Sequence, residues 1–337
     1  MELIRTEMTP RERLTAYAAG QEVDRIPTVL TAAETSPIRY GIQNKDYYFS
    51  ADLMVEVESK IAEDFGADNM GANVGLRGVV EALGVSVVTP ENNVSHVEGV
   101  GIESYEDLER MSIIDVTKDG RFPIMLEAYN RLQEKFGKTH IIGTGMAGPF
   151  TVAAFLIGTE KFLKDMVKKE SEITKLLQFA TDNVVAAGEG LYKHAVPFMT
   201  QTVERLTKIY GSKPGMHICG TTHDRWQEIV DFGISAFSVD NVESMTDLKN
   251  LFGDRIGIIG NVDPVDLLRN GTPEDMKNEV IRCLSEAADN PCGFVLSPGC
   301  TTPVGTPKEN LVALMNAAAT YGKGAKKGVM PEGMKGL

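Results

Sequence analysis

From Gly215 onward the chain alternates short apolar runs with amphipathic stretches, and this alternation limits the fold more than any other feature. Gly215 to Gly220, Ala236 to Asp240, Ile256 to Asn261 and Phe294 to Ser297 read as strands. Asp224 to Phe232, Ser244 to Phe252, Thr272 to Asp289 and Thr306 to Tyr321 read as helices between and after them. Strands joined through helices of this length are expected to run parallel, with the helices packed outside the sheet.

The first half carries the same signals less regularly. Thr9-Pro10-Arg11-Glu12 reads as a helix start, with Thr as cap, Pro in the first turn and Glu closing a capping box. Thr306-Pro307-Lys308-Glu309 repeats that pattern. Ile26 to Leu30 is a short strand. A helical pattern runs from Ser50 through Leu53, Val57, Ile61 and Phe65 and stops at Gly66. Asp68 to Asn73 reads as the next strand, and residues 84–100 as a hairpin or excursion. Helices follow from Ser104 and over 122–136, then a strand with a Gly-rich end from Thr139 to Gly145. Long helical patterns cover roughly 151–210. No linker divides the chain. Residues 1–325 are expected to form a single domain with an N-terminal helical extension, and the Gly- and Lys-rich stretch 326–337 a loose tail.

A chain of 337 residues, 42% hydrophobic and 24% charged, can bury a large core. No apolar run approaches a membrane span. The first residues lack a basic start and an apolar stretch, which predicts a cytoplasmic protein. A net charge of −13 repels nucleic acid and anionic membranes as non-specific partners. Four cysteines argue against a disulfide framework and leave metal or catalytic roles open.

Two runs concentrate the chemistry. In Met216-His217-Ile218-Cys219-Gly220, His217 and Cys219 are two apart, so on a strand both point to one face. In Leu296-Ser297-Pro298-Gly299-Cys300, Cys300 sits just past a second strand. If both strands belong to one parallel sheet, one imidazole and two thiolates converge as a three-ligand zinc site with a fourth position open. The residues alone also permit two small buried cysteines and a hydrogen-bonded core histidine. Position favours the metal, because α/β barrels build their sites at the C-terminal ends of strands.

Asp240 ends the strand after the His217 strand. It either caps the following loop or aims a carboxylate at the open metal position, as a temporary ligand or a base. Asn261 and Asp263, in Gly260-Asn261-Val262-Asp263-Pro264, either line a polar substrate pocket or shape a tight turn. Cys283 lies inside a helical pattern and Cys292 in a turn, which fits incidental roles. His223 is close enough in sequence to the His217 strand to support the metal from behind. His96 has Val94 where a cobalamin-carrying signature needs Asp, so the chain has no intact corrinoid motif of its own. Gly145 to Thr151 lacks the Gly-Lys-Ser/Thr of a phosphate loop.

His217-Ile218-Cys219-Gly220, Ser238-Val239-Asp240, Gly260-Asn261-Val262-Asp263-Pro264 and Pro298-Gly299-Cys300 occur in this order, after Thr9-Pro10-Arg11-Glu12-Arg13, Asp24-Arg25-Ile26-Pro27 and Gly148-Pro149-Phe150-Thr151. Together they resemble the uroporphyrinogen decarboxylase superfamily over almost the whole chain. The His-x-Cys and the late Cys are similar to its zinc-dependent corrinoid methyltransferase branch, typified by methylcobalamin:coenzyme M methyltransferases. The resemblance implies a (β/α)8 TIM barrel and zinc on His217, Cys219 and Cys300, with Asp240 near it. It implies methyl transfer between methylcobalamin on a partner corrinoid protein and a thiol such as coenzyme M. Transfer from a methyl donor to the corrinoid protein, a metal-free decarboxylase, and a barrel with a structural zinc are the alternatives. Decarboxylases of the family use an Arg-rich segment after the first strand, and the matching stretch Thr31 to Gly41 holds only Arg39. One departure concerns the barrel itself. The chain is some twenty residues short between Gly148 and His217, so seven strands are legible instead of eight. The barrel is therefore expected to be irregular or one strand short around 185–200, or closed there by Ala195 to Met199.

Overall fold

The computed structural model describes residues 2–30, 33–91, 93–194 and 213–337. Its strands are β1 (Met70–Gly71), β2 (Val87–Val88), β3 (His96–Val97), β4 (Ile142–Gly143), β5 (Gly215–Ile218), β6 (Ala236–Val239), β7 (Gly257–Val262) and β8 (Phe294–Pro298). β5, β6, β7 and β8 form one parallel sheet in that order, as the alternating pattern requires. β7 and β8 are buried along almost their whole length, because helices cover one side and the barrel interior the other.

The parallel order continues past β8. Thr28 bridges Leu296 in parallel, and the amides of Val29 and Leu296 bond across at 3.0 and 2.9 Å. The Asp68 amide then donates to the Thr28 carbonyl at 2.9 Å, just ahead of β1, and β1 pairs with β4 in parallel. Seven strand positions thus line up among the described residues, the number legible in the sequence. Between β4 and β5 come the helices Pro149–Ile157, Thr159–Lys168 and Glu170–His194. The closing strand considered at Ala195 to Met199 lies outside the described residues. β2 and β3 pair antiparallel, the expected hairpin.

Local signals account for most helix limits. Thr9 and Glu12 form the capping box ahead of the helix Pro10–Ala18. Ser50 caps the helix Ala51–Phe65 at the Leu53 amide, and Gly66 ends it at φ +61°, a conformation that favours glycine. Thr272 and Asp275 box the start of the helix Pro273–Ala287. The box expected at Thr306 does not form. The helix Lys308–Tyr321 begins one residue later, with Pro307 at the cap, and the Thr306 hydroxyl donates to the Pro303 carbonyl at 2.8 Å.

Met276, Val280, Cys283, Leu284 and Ala287 form the buried stripe of the helix Pro273–Ala287 and join Phe237, Ile258, Phe294 and Leu314 in one apolar cluster. A second cluster gathers Val57, Met70, Phe122, Leu132, Val152 and Phe162 from the first half. Ile61 packs against both. Where the chain enters the barrel, the carboxylate of Asp68 is buried between Arg13 and Arg25, with Arg25 at 2.6 Å and the Thr28 amide at 2.7 Å. Residues 326–337, expected as a loose tail, fold back instead. Lys326 bridges Val329, Lys327 Nζ donates to the Ala18 carbonyl, and Met330 and Met334 pack on the first cluster. Apolar Met330 and Met334 give this Gly- and Lys-rich stretch something to bury.

Candidate metal centre

His217 and Cys219 leave the barrel at and just past the end of β5, and Cys300 follows β8. Their ligand atoms all lie within 4.8 Å of one another. His217 Nε2 is 3.1 Å from Cys219 Sγ, and the two Sγ atoms are 3.6 Å apart. The period of two predicted from sequence puts His217 and Cys219 on one face. The parallel sheet then brings Cys300 to them from 81 residues away.

The imidazole is oriented from behind. Its Nδ1 is 3.0 Å from the Ser238 carbonyl, its register partner on β6. A carbonyl only accepts, so Nδ1 carries the proton and Nε2 is left with a free lone pair toward the thiols. Ser238 Oγ stands 3.1 Å from the same nitrogen.

The donor set fits zinc. Two thiolates on a tetrahedral zinc, each at about 2.3 Å, stand about 3.8 Å apart, close to the spacing seen here. His217 and Cys219 are exposed and Cys300 half-buried, so the cluster opens to solvent on one side. The thiols are unequal. When the ring is also protonated at Nε2, its hydrogen bond to Cys300 lowers that thiol, while burial and the neighbouring Cys300 charge push Cys219 up to about 11. The same hydrogen bond to Cys300 raises His217. Cys300 is therefore the more acidic of the two thiols, and a bound cation would favour the thiolate of Cys219 as well.

Cys300 is placed by close backbone approach. The Gly299 amide donates to the Val262 carbonyl at 2.8 Å, and a Cβ on Gly299 would stand 2.5 Å from the Asn241 nitrogen. Only glycine fits there.

The structure places the other sequence candidates around this cluster. Asp240 accepts the Gly220 amide at 2.8 Å and the Val242 amide at 3.3 Å, so both carboxylate oxygens hold backbone. Its charge still acts on His217 and Cys219. Asn261 is 0% exposed. Its amide nitrogen donates to the carbonyls of Asp240 and Glu243, and Arg282 donates to its oxygen. Asn261 therefore lies beneath the loops, not in a wall a substrate could touch. Asp263 caps the segment Pro264–Arg269 through the Val265 and Asp266 amides and accepts from Asn241 at 3.0 Å. His223 sits 3.4 Å from the buried carboxylate of Glu243. Cys283 is buried in its helix and lies apart from the cluster, as does Cys292. Glu243 and Arg282 carry no sequence signal of their own, and the run Ser238-Val239-Asp240 gives Ser238 no role by itself. Ser238 matters because the strand register sets it against His217, and Glu243 and Arg282 because the β6 loop and the helix Pro273–Ala287 lie behind the cluster.

The profile of the uroporphyrinogen decarboxylase (URO-D) family matches residues 9–195 and 188–321. The chain belongs to the URO-D family. The two matched segments overlap at 188–195, within the stretch where the sequence shows no legible strand. The methylcobamide:CoM methyltransferase MtbA of Methanosarcina acetivorans is 28% identical over 94% of this chain and 99% of its own. The methylated-thiol–coenzyme M methyltransferase of Methanosarcina mazei is 26% identical over 93% of this chain and 89% of its own. A solved methyltransferase from Methanosarcina mazei superposes with a TM-score of 0.80 at 25% identity, over 93% of this chain and 98% of that one. The fold is the (β/α)8 TIM barrel of the URO-D family. Among the described residues no helix is long and apolar enough to cross a membrane.

Proposed function

We propose that this URO-D family member is a zinc-dependent methyltransferase that moves a methyl group between a corrinoid carried by a partner protein and a thiol such as coenzyme M. One observation carries the reading. His217, Cys219 and Cys300 converge at the C-terminal ends of parallel strands, in a chain similar over more than nine-tenths of its length to enzymes named for methylcobamide and coenzyme M.

His217 would hold the metal through Nε2, and Cys219 and Cys300 through their thiolates. Two thiolates and one neutral imidazole would bring a bound zinc dication near neutrality. A bound zinc supplies an open position that lowers the pKa of a thiol and leaves it a nucleophile at neutral pH. The chain's own residues orient this chemistry. Ser238 fixes the imidazole, Asp240 fixes the turn after Cys219, and Asn261 and Asp263 brace the loops below. Exposed Leu76 and Val242 lie in the connections after β1 and β6, and exposed Phe150 and Val265 in the first turns of the helical segments Pro149–Ile157 and Pro264–Arg269 after β4 and β7. All four follow C-terminal ends of parallel strands, and a docked corrinoid protein would cover apolar surface of this kind.

The decarboxylase alternative loses its remaining cation. Arg39 donates to the Thr306 carbonyl at 2.7 Å and its guanidinium lies 5.6 Å from the Phe65 ring centroid, so it serves the scaffold. The test is zinc content together with methyl transfer from methylcobalamin to coenzyme M, on wild type and Cys300→Ser. The expected result is one zinc per wild-type chain, thiol methylation, and loss of both in the variant. An active wild type free of metal overturns the proposal.

A further inference from the structure

We propose that Glu243 is a positioning residue of the metal centre, its buried carboxylate setting where Cys219 stands against Cys300. The inference rests on the reading of His217, Cys219 and Cys300 as metal ligands.

Cys219 lies one residue beyond β5, so the sheet does not hold it. The chain turns at once at Gly220, with φ +77°. The amides that follow are then gathered by two carboxylates of the β6 loop. Gly220 donates to Asp240. Thr222 and His223 both donate from backbone to Glu243 Oε1, the latter at 2.9 Å, and the Thr222 hydroxyl joins at 3.1 Å. The loop carrying Cys219 thus hangs on its neighbour.

Glu243 is 6% exposed, and among the described residues no Lys or Arg pairs with it. A buried carboxylate without a cation is tolerated only where donors surround it. Those donors are the amides of the ligand loop, with His223 Nδ1 at 3.4 Å from the other oxygen. The carboxylate and the loop therefore order each other.

Glu243 is itself anchored. Its carbonyl accepts from Asn261 at 2.9 Å, and its amide donates to the Asp240 carbonyl at 3.1 Å. Arg282 holds Asn261 and pairs with Glu279 at 2.6 Å and Glu286 at 2.9 Å on the helix Pro273–Ala287. Cys300 has a separate support, the Gly299 amide on Val262. The 3.6 Å between the two sulfurs thus depends on a hold at each ligand loop, and Glu243 belongs to the one at Cys219.

The experiment compares wild type, Glu243→Ala, Glu243→Gln and Arg282→Met. Zinc affinity is read by competition with a chromophoric chelator. Cobalt(II) loading reads thiolate-to-metal charge transfer, and the melting temperature of metal-free protein reads general stability. Glu243→Ala is expected to lose about 10- to 100-fold in zinc affinity and to alter the cobalt band. Glu243→Gln keeps an oxygen for the amides and is expected to stay near wild type in both. Arg282→Met, at the half-exposed far end of the same bonds, is expected to lose affinity severalfold, and it keeps the test open if Glu243→Ala does not fold. Wild-type affinity and spectrum in Glu243→Ala, or in Arg282→Met if that variant alone folds, overturn the inference alone. So does a Glu243→Gln as impaired as Glu243→Ala with an equally lowered melting temperature, the mark of general loosening. A wild type that takes up no zinc overturns the metal reading and this inference with it.

Discussion

The Ser238 carbonyl holds His217 Nδ1 at 3.0 Å, and this bond across the β5–β6 register decides which imidazole nitrogen faces the two thiols. Because the partner is main chain, the hydroxyl of Ser238 is expected to matter little. Ser238→Ala should retain zinc within about threefold of wild type, whereas His217→Ala should lose well over 100-fold. Chelator competition measures both. A Ser238→Ala protein as weak as His217→Ala would show that the hydroxyl, not the carbonyl, sets the ring.

The 3.6 Å between Cys219 Sγ and Cys300 Sγ predicts a response to metal removal. A disulfide needs its sulfurs at about 2 Å, a short closure for two side chains at loop ends. Metal-free protein treated with diamide should lose two titratable thiols and yield a Cys219–Cys300 peptide on digestion. Zinc added beforehand should protect both. Thiol counts that fall equally with and without zinc would contradict the shared site.

Gly299→Ala should displace Cys300, since the new Cβ would stand 2.5 Å from the Asn241 nitrogen. Backbone must move on one side or the other. We expect at least a tenfold loss of zinc affinity, larger than the loss of stability explains. The same change at Gly145, where a Cβ meets nothing within 4 Å, should be silent in zinc affinity. Equal behaviour of the two variants would defeat the argument.

Glu58 predicts a pH dependence away from the site. Burial between the helix Ala51–Phe65 and β1 pushes its carboxyl up to about 7 from 4.5, against the opposing bond from the Gly71 amide at 3.1 Å. The native state then holds a proton that the unfolded chain has released between these values. Its stability contribution is complete below about 4.5 and is lost as pH rises through about 7. Glu58→Gln should remove that slope and stabilise the protein at pH 8 by roughly 2–3 kcal/mol, the order set by a shift of this size. Urea unfolding at pH 5 and pH 8 measures it. Parallel curves for wild type and variant would refute the assignment.

Much of the fold is legible residue by residue. The strands β7 and β8 are visible because parallel strands buried on both sides are near-continuous apolar runs, and Gly66 and Thr272 mark helix limits by local chemistry alone. Thr306 shows the limit of such motifs. The same four-residue pattern that caps at Thr9 fails there, because the helix starts one residue later than the pattern assumes. Asn261 shows a second limit. A polar residue at a strand end reads equally as pocket lining or scaffold, and only its burial beneath Asp240 and Glu243 separates the two.

The sequence by itself determined which candidate ligand types the chain offers, the strand period that aligns His217 with Cys219, and the parallel class of the sheet. These follow from local geometry, which acts over a few residues. The tertiary structure decided the rest: that Cys300 meets Cys219 across 81 residues, that Ser238 turns the imidazole, and that Asp240 and Glu243 hold the loop behind the ligand. Those contacts depend on inter-strand register and on which loop lies beside which. Register is set by the packing of the whole barrel, which no single stretch of the chain encodes.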